Sequence, residues 1–316
     1  MRERVEAVAR QLGYRPNLIA RSLITRRSNI VGVGIGYMDN QFYPKALEAL
    51  SEALSAAGYR ALLFTARPGS DSDPMLEEIL HYRVDAVVLA SAMLSSHLAH
   101  ECRQAGVPVV LMNRKTDDAG VSSVTGDNQH GAALIAEYLI AGGHRRYGFI
   151  AGLEESSTSR DREAGFASAM HAAGLPAPLR DVGHYDFAGA GEAMRRMLST
   201  PDRPDAVFCA NDHMAMSAID VARIEFGLQV GRDISIIGFD DVTPATWPSY
   251  DLTTYSQPVD RMIVEVMRLI TSMLSSPAQD SRDIVVPGEL IVRGSARRPA
   301  FGIQSKDHRE IWSPTD

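Results

Sequence analysis

The side chains best equipped for chemistry in this 316-residue sequence fall just after short, β-branched apolar runs. Phe42 follows IVGVGIG, Asp127 follows SSVTG, and Arg160 and Arg162 follow YGFIAG. Asn211 and Asp212 follow AVFCA, Asp240 and Asp241 close ISIIGFDD, and Tyr185 ends a further run. Each has an ordinary explanation when taken singly, since Asp and Asn cap helices and the two aromatics can be core. Together they supply a guanidinium fork, carboxylates, an amide and aromatic faces. That combination suits a polyhydroxylated ligand. Arg and Asp bond neighbouring hydroxyls in pairs, and a ring packs on the apolar face of a sugar.

Other chemistries lack their patterns. In GVGIG, Gly32 and Gly34 would need a glycine at 37, which is Tyr37, and Gly34 and Gly36 would need one at 39, which is Asp39. The dinucleotide fingerprint therefore fails on spacing, and close helix–strand packing is the better account of these glycines. No G-x-x-x-x-G-K, H-E-x-x-H or G-x-S-x-G occurs. Cys102 and Cys209 stand far apart, away from metal-ligand spacing, and the nine histidines are scattered. No nucleophile, base and orienter assemble, so the expectation is a protein that is not an enzyme, with no cofactor and no metal.

The elements that must position the ligand set alternate. Strands are expected at 30–36, 60–66, 86–91, 107–113, 122–126, 147–152, 182–186, 206–211 and 234–241. Helices are expected near 43–57, 73–82, 97–105, 130–141, 160–173, 189–199 and 213–226. Strands separated by ten-to-fifteen-residue helical patterns mean βαβ units and parallel sheets, with ligands at the C-terminal strand ends. About ten strands exceed one comfortable sheet, so the fold class expected is α/β with two doubly wound lobes. A helix at 258–274 and strands within 284–295 come last and could return to either lobe.

Composition agrees with a packed protein: 45% of residues are apolar and 22% charged. No apolar stretch approaches the ~20 residues of a membrane span, and MRERVEAVARQ is not a secretory leader, which makes the cytoplasm the expected compartment. The charge is unevenly spread. Residues 1–29 hold seven arginines against two glutamates, a balance of +5 in a chain whose net charge is −7. A basic head on an acidic body suggests that one end meets a polyanion. Within that head, Val5, Val8, Ala9 and Leu12 have helical spacing before Gly13. A second segment runs from Asn17 through Leu18, Ile19, Leu23 and Ile24, too short to be helical in water without a partner surface.

The run GYRPNLIARSLITRRSNIVGVGI (13–35) resembles the junction between DNA-binding head and regulatory core in the lactose-repressor/galactose-repressor (LacI/GalR) family. The similarity continues through GDNQHGAALIAEYLIAGGHRRYGFIAG, SRDREAGFASAM, PDAVFCANDHMAMSAI, DISIIGFDD and LTTYSQP, spanning roughly 1–298. It implies a type I periplasmic-binding-protein-like core of two Rossmann-like lobes, with a small sugar-like effector between them. It also implies a cytoplasmic homodimer that binds operator DNA without contacting a membrane, most simply as a repressor. The alternative is the sugar-binding protein of a transport system.

Carried over by position, the effector contacts would be Phe42, Asp127, Arg162, Tyr185, Asn211 and Asp240, with Gln257 nearby. Leu23 matches the hinge-helix leucine that wedges into the minor groove, with Asn17 and Arg21 beside phosphates or groove edges. The head, 1–28, corresponds to the third helix and hinge helix of a helix-turn-helix domain, an N-terminally truncated one. Operator specificity is therefore expected to need the two helices before it. The lobes are expected at 29–141 plus 258–284 and at 142–257 plus 285–298, with a flexible tail over 299–316. Gln41 and Asp251 replace family prolines, and both are expected near the cleft.

Overall fold

The computed structural model describes residues 11, 27–36, 38–65, 73–90, 95–116, 120–276 and 280–314. Asn17, Arg21 and Leu23, with the expected hinge segment, lie outside the described residues.

The first lobe is built on β1 (Ile30–Ile35), β2 (Arg60–Thr65), β3 (Ala86–Ala90), β4 (Val109–Met112), β5 (Ser122–Gly126) and β11 (Asp283–Val286), joined in the order β11-β5-β4-β3-β1-β2. Every pairing in this sheet is parallel. The strands β3 and β4, AVVLA and VVLM, are apolar along their length because helices cover both faces. The helices α1 (Phe42–Ala56), α2 (Asp73–His81) and α3 (Ser96–Gln104) connect them. Gly32 shows what the glycines of β1 are for: a Cβ there would lie 2.4 Å from Cγ2 of Ile79 on α2. The helix rests directly on the strand backbone.

The second lobe contains α4 (Asn128–Ala141), β6 (Tyr147–Ala151), α5 (Ser157–Ala172), β7 (Leu179–Val182), α6 (Phe187–Leu198), β8 (Ala206–Cys209), α7 (Asp212–Asp220), β9 (Ser235–Asp240) and β10 (Thr253–Ser256). The strands β7-β6-β8-β9-β10 are parallel. β12 (Leu290–Ile291) then adds antiparallel to β10.

Four expectations need correction. The strand expected over 182–186 lies earlier, at Leu179–Val182, an edge strand that is half exposed and carries no apolar run. The first lobe does not extend to 141: α4 packs on α5 and reaches β10 and β12, so the chain crosses at 127–128. Conversely, α8 (Val259–Ser275) packs on α1, β4, β5 and β11 of the first lobe. β11 carries the first sheet through Val286, which moves the last crossing from 284–285 to 287–289. Finally, the tail is folded. β13 (Ile303–Lys306) and β14 (Arg309–Trp312) form a hairpin that joins the second sheet through β12. Its turn residues Asp307 and His308 both have positive φ, at 49° and 61°, the twist that two-residue hairpin loops prefer. Trp312 is buried edge-on against Tyr138 of α4 at 5.5 Å. No helix among the described residues is long and apolar enough to cross a membrane.

Candidate functional site

The C-terminal strand ends of both sheets face one another across a narrow, nearly closed crevice whose free volume is about 10 Å³. Asn40, Tyr43, Asn113 and Arg114 line it from the first lobe, and Thr158, Arg162, Tyr185, Asn211 and Asp240 from the second. Three of these hold strained backbone: Asn113, Tyr185 and Asp240 have φ of 58°, 59° and 132°. Such left-handed conformations are costly for side-chain-bearing residues and gather where a structure must aim particular groups.

Arg162 is the centre of the arrangement. Ser156 caps α5 by accepting from the Ser159 amide, which starts the helix so that Arg162 points back under the strand ends. One turn on, Gly165 lets α5 press against α4, since a Cβ there would lie 2.1 Å from the Gln129 carbonyl oxygen. Phe166 then locks the helix onto Phe149 and Phe208, with ring centroids at 6.0 and 5.2 Å. The guanidinium, only 2% exposed, donates from Nε to Asn128 Oδ1 at 2.8 Å and from Nη1 to the Ala210 carbonyl. Its Nη2 approaches Asp240 Oδ1 at 3.5 Å, and the group lies 3.7 Å over the Phe239 ring.

Asp240 also accepts from Gln257 Nε2 at 2.7 Å and from Asn40 Nδ2, across the crevice, at 3.2 Å. Burial pushes its carboxyl upward, while Arg162, Gln257 and Asn40 pull the other way. Behind it, Asp212 is fully enclosed, and burial together with the Asp240 charge pushes its carboxyl up to about 8. Thr254 Oγ1 and the Val242 amide donate to Asp212, at 2.5 and 2.9 Å. On the first-lobe side, Asn113 Nδ2 donates to the Tyr43 hydroxyl at 3.1 Å. Arg114 donates to Thr158 and to the Asn113 carbonyl. Lys115 reaches across to Asp161 at 2.8 Å and its backbone amide donates to Ser157 Oγ at 2.9 Å, so with Asn40–Asp240 and Arg114–Thr158 four polar links join the lobes around the crevice.

Arg162, Tyr185, Asn211 and Asp240 are brought together as the sequence suggests, and Gln257 stands one bond behind them on Asp240. Phe42 is not at the crevice. It is buried in the core, in edge contact with Tyr43 at 5.1 Å, and Tyr43 is the residue that lines the site. Asp127 is absent from the lining as well: it caps α4 by accepting from the His130 amide, and its neighbour Asn128 bonds Arg162 instead. Asp251 sits at the N-terminal end of β10, the end away from the crevice, accepting from the Gly294 amide. Sequence reasoning missed Asn40, Tyr43, Asn113, Arg114 and Thr158. Asn113 and Arg114 follow the strand VPVVLM directly, so the rule that found Asp240 applies to them too. Among the described residues no group of three or more His, Cys, Asp or Glu could hold a metal ion.

Residues 136–296 match the family model of a periplasmic binding protein-like domain. The chain is 31% identical to the ribose operon repressor of Escherichia coli (strain K12), over 93% of this chain and 90% of that one. It is 30% identical to catabolite control protein A of Priestia megaterium, over 94% and 90%. Among solved structures, a complex of the transcriptional regulator CelR with cellobiose superposes with a TM-score of 0.78 at 30% identity, covering 93% of this chain and 90% of that one.

Proposed function

Because the chain belongs to the LacI/GalR family of transcriptional regulators, we propose that it is a ligand-responsive repressor whose crevice binds a small polyhydroxylated effector and so controls operator binding by a homodimer. Its relatives, matched along nearly their whole length, are named as regulators, which disfavours the transport alternative. One observation carries the reading: a buried guanidinium and a buried carboxylate, 3.5 Å apart, stand on the second-lobe wall of the crevice beside Asn211 and Tyr185, opposite the first lobe's strand ends. A sugar's hydroxyls can take the places of Asn40 on Asp240 and of Thr158 on Arg114. That exchange loosens or tightens the lobe-to-lobe links and selects one inter-lobe angle. The ligand shifts the equilibrium only by its differential affinity for the two arrangements, typically about 1–3 kcal/mol.

The test is a thermal-shift screen of the full chain against neutral sugars, sugar acids and nucleosides, repeated on Arg162→Met. A ligand at a hundred times its Kd stabilises by about 2.7 kcal/mol, several degrees in Tm. The reading stands if at least one probe does this in the parent and not in the variant. A screen without a hit, or a hit indifferent to Arg162, removes it.

A further inference from the structure

We infer that the effector is a sugar acid, a polyhydroxylated monoanion whose carboxylate is received by Arg114. This rests on the effector-binding reading of the same crevice and adds the charge of its occupant. Three charged side chains line the site: Arg114, Arg162 and Asp240. Asp240 is committed to Arg162 at 3.5 Å and to Gln257 at 2.7 Å.

Arg114 has no such partner. It is only 6% exposed, yet no carboxylate among the described residues lies within 4.0 Å of it. Its hydrogen bonds go to neutral oxygens, the Asn113 carbonyl and the Thr158 hydroxyl, both from Nη1. Nε and Nη2 remain for another acceptor. The Tyr185 ring, 5.7 Å from the guanidinium carbon, faces the group. The Asp240 carboxylate feels the Arg114 charge only from beyond contact distance, and a buried cation with no carboxylate against it is an expensive arrangement that a bound anion completes.

The neighbouring charges do not supply that anion. Lys115 is neutralised by Asp161 at 2.8 Å, and Asp212, whose carboxyl burial pushes up to about 8, adds no full charge near neutral pH. Among the described residues the lining therefore carries two positive charges against one negative. A monoanion balances it, whereas a phosphate dianion would overshoot beside Asp240. A planar carboxylate also matches the planar guanidinium fork bidentately. Asp240 and Asn211, on the other wall, remain for the hydroxyls.

The experiment is calorimetric titration of the full chain with D-galacturonate, D-glucuronate and D-gluconate. The comparison probes are D-galactose, D-glucose, the methyl ester of D-galacturonate and glucose 6-phosphate, all at one ionic strength. At least one acid is expected to bind tenfold or more tightly than its neutral counterpart. Arg114→Gln should abolish that preference, bringing each acid and its neutral counterpart to within threefold of one another in affinity. Arg114→Lys, which keeps the charge and loses the fork, should restore part of it, as a merely misfolded variant would not. A neutral sugar binding as tightly as its acid, a preference that survives Arg114→Gln, or a preference for the phosphate overturns the inference. In those cases Arg162-dependent binding still upholds the effector site. If no probe binds, both fall.

Discussion

The Arg162–Asp240 pair invites a double-mutant cycle, because its net worth can be bounded from geometry. Arg162→Met keeps an apolar stem over Phe239 but removes the donor to Asn128, Ala210 and Asp240. At 3.5 Å and an effective dielectric constant of about 20, the charge–charge attraction is about 5 kcal/mol. Desolvation takes back much of it. Removing one partner of a buried pair nevertheless costs about 3–5 kcal/mol, because the other charge is stranded. Asp240 would keep its donors Gln257 and Asn40 and can take up a proton, to which burial already predisposes it. The lower end, about 3 kcal/mol, is therefore the expectation for Arg162→Met. Asp240→Asn should cost about 2 kcal/mol, since the stranded guanidinium retains Asn128 and the Ala210 carbonyl. The double variant buries neither charge, so its cost should fall short of the sum by about 2 kcal/mol. Urea unfolding followed by circular dichroism measures all four corners, with the slope m checked for constancy. Additivity to within about 0.5 kcal/mol would refute the claim that these two side chains act as one unit.

Three further outcomes are expected. Gly165→Ala places a methyl group 2.1 Å from the Gln129 carbonyl oxygen, forcing α5 off α4, and should cost about 2–3 kcal/mol in urea unfolding. Asp212, with its carboxyl raised to about 8 from 3.8, holds a proton in the native state that the unfolded chain has lost. Its contribution to stability therefore declines as pH rises from about 4 to about 8 and is flat above, and Asp212→Asn should flatten that slope in Tm measured from pH 5 to 9. Trp312→Ala should destabilise by about 3–5 kcal/mol, because the ring is 3% exposed, packs on Tyr138 and donates to the Phe301 carbonyl; a flexible tail would show no effect.

Much of the architecture was legible because each βα unit repeats one physical bargain: an apolar strand covered by an amphipathic helix. The exceptions have identifiable causes. Leu179–Val182 is half exposed and reads as LRDV, so it offers no apolar run. The hairpin at 303–312 turns on Asp307 and His308, a pair without glycine that gives no turn signal of the usual kind. The burial of Phe42 was readable: with Ala46, Leu50 and Leu54 it forms a stripe at intervals of four, the buried face of α1. Tyr43, rotated by about 100° along the helix, is the one free to face the crevice. Asp127 likewise did the plain work of an N-cap. Helical periodicity says that α4 must be covered, with Ala132, Ile135, Ala136, Tyr138 and Leu139 all buried, but it does not say by which sheet.

The seat of α8 on the first lobe bears directly on how the crevice could report its occupancy. Gln257 lies on the crossing between lobes, and it holds Asp240 twice, by its side-chain amide at 2.7 Å and by its own backbone amide to the Asp240 carbonyl at 3.2 Å. Its Oε1 packs against Gly126, where the chain makes its first crossing. The next residue, Pro258, caps α8, and α8 lies against α1, β4, β5 and β11 of the opposite lobe. A displacement of Asp240 would therefore be passed through one side chain to a seventeen-residue helix anchored in the first lobe, and to two of the three crossings at once. Packed interiors resist gradual deformation, so a helix gripped in this way moves with its lobe as a body. Asp240, proposed to meet the ligand, thus ties the second sheet to a helix of the first lobe, and on that proposal the inter-lobe angle is the coordinate along which binding would be felt.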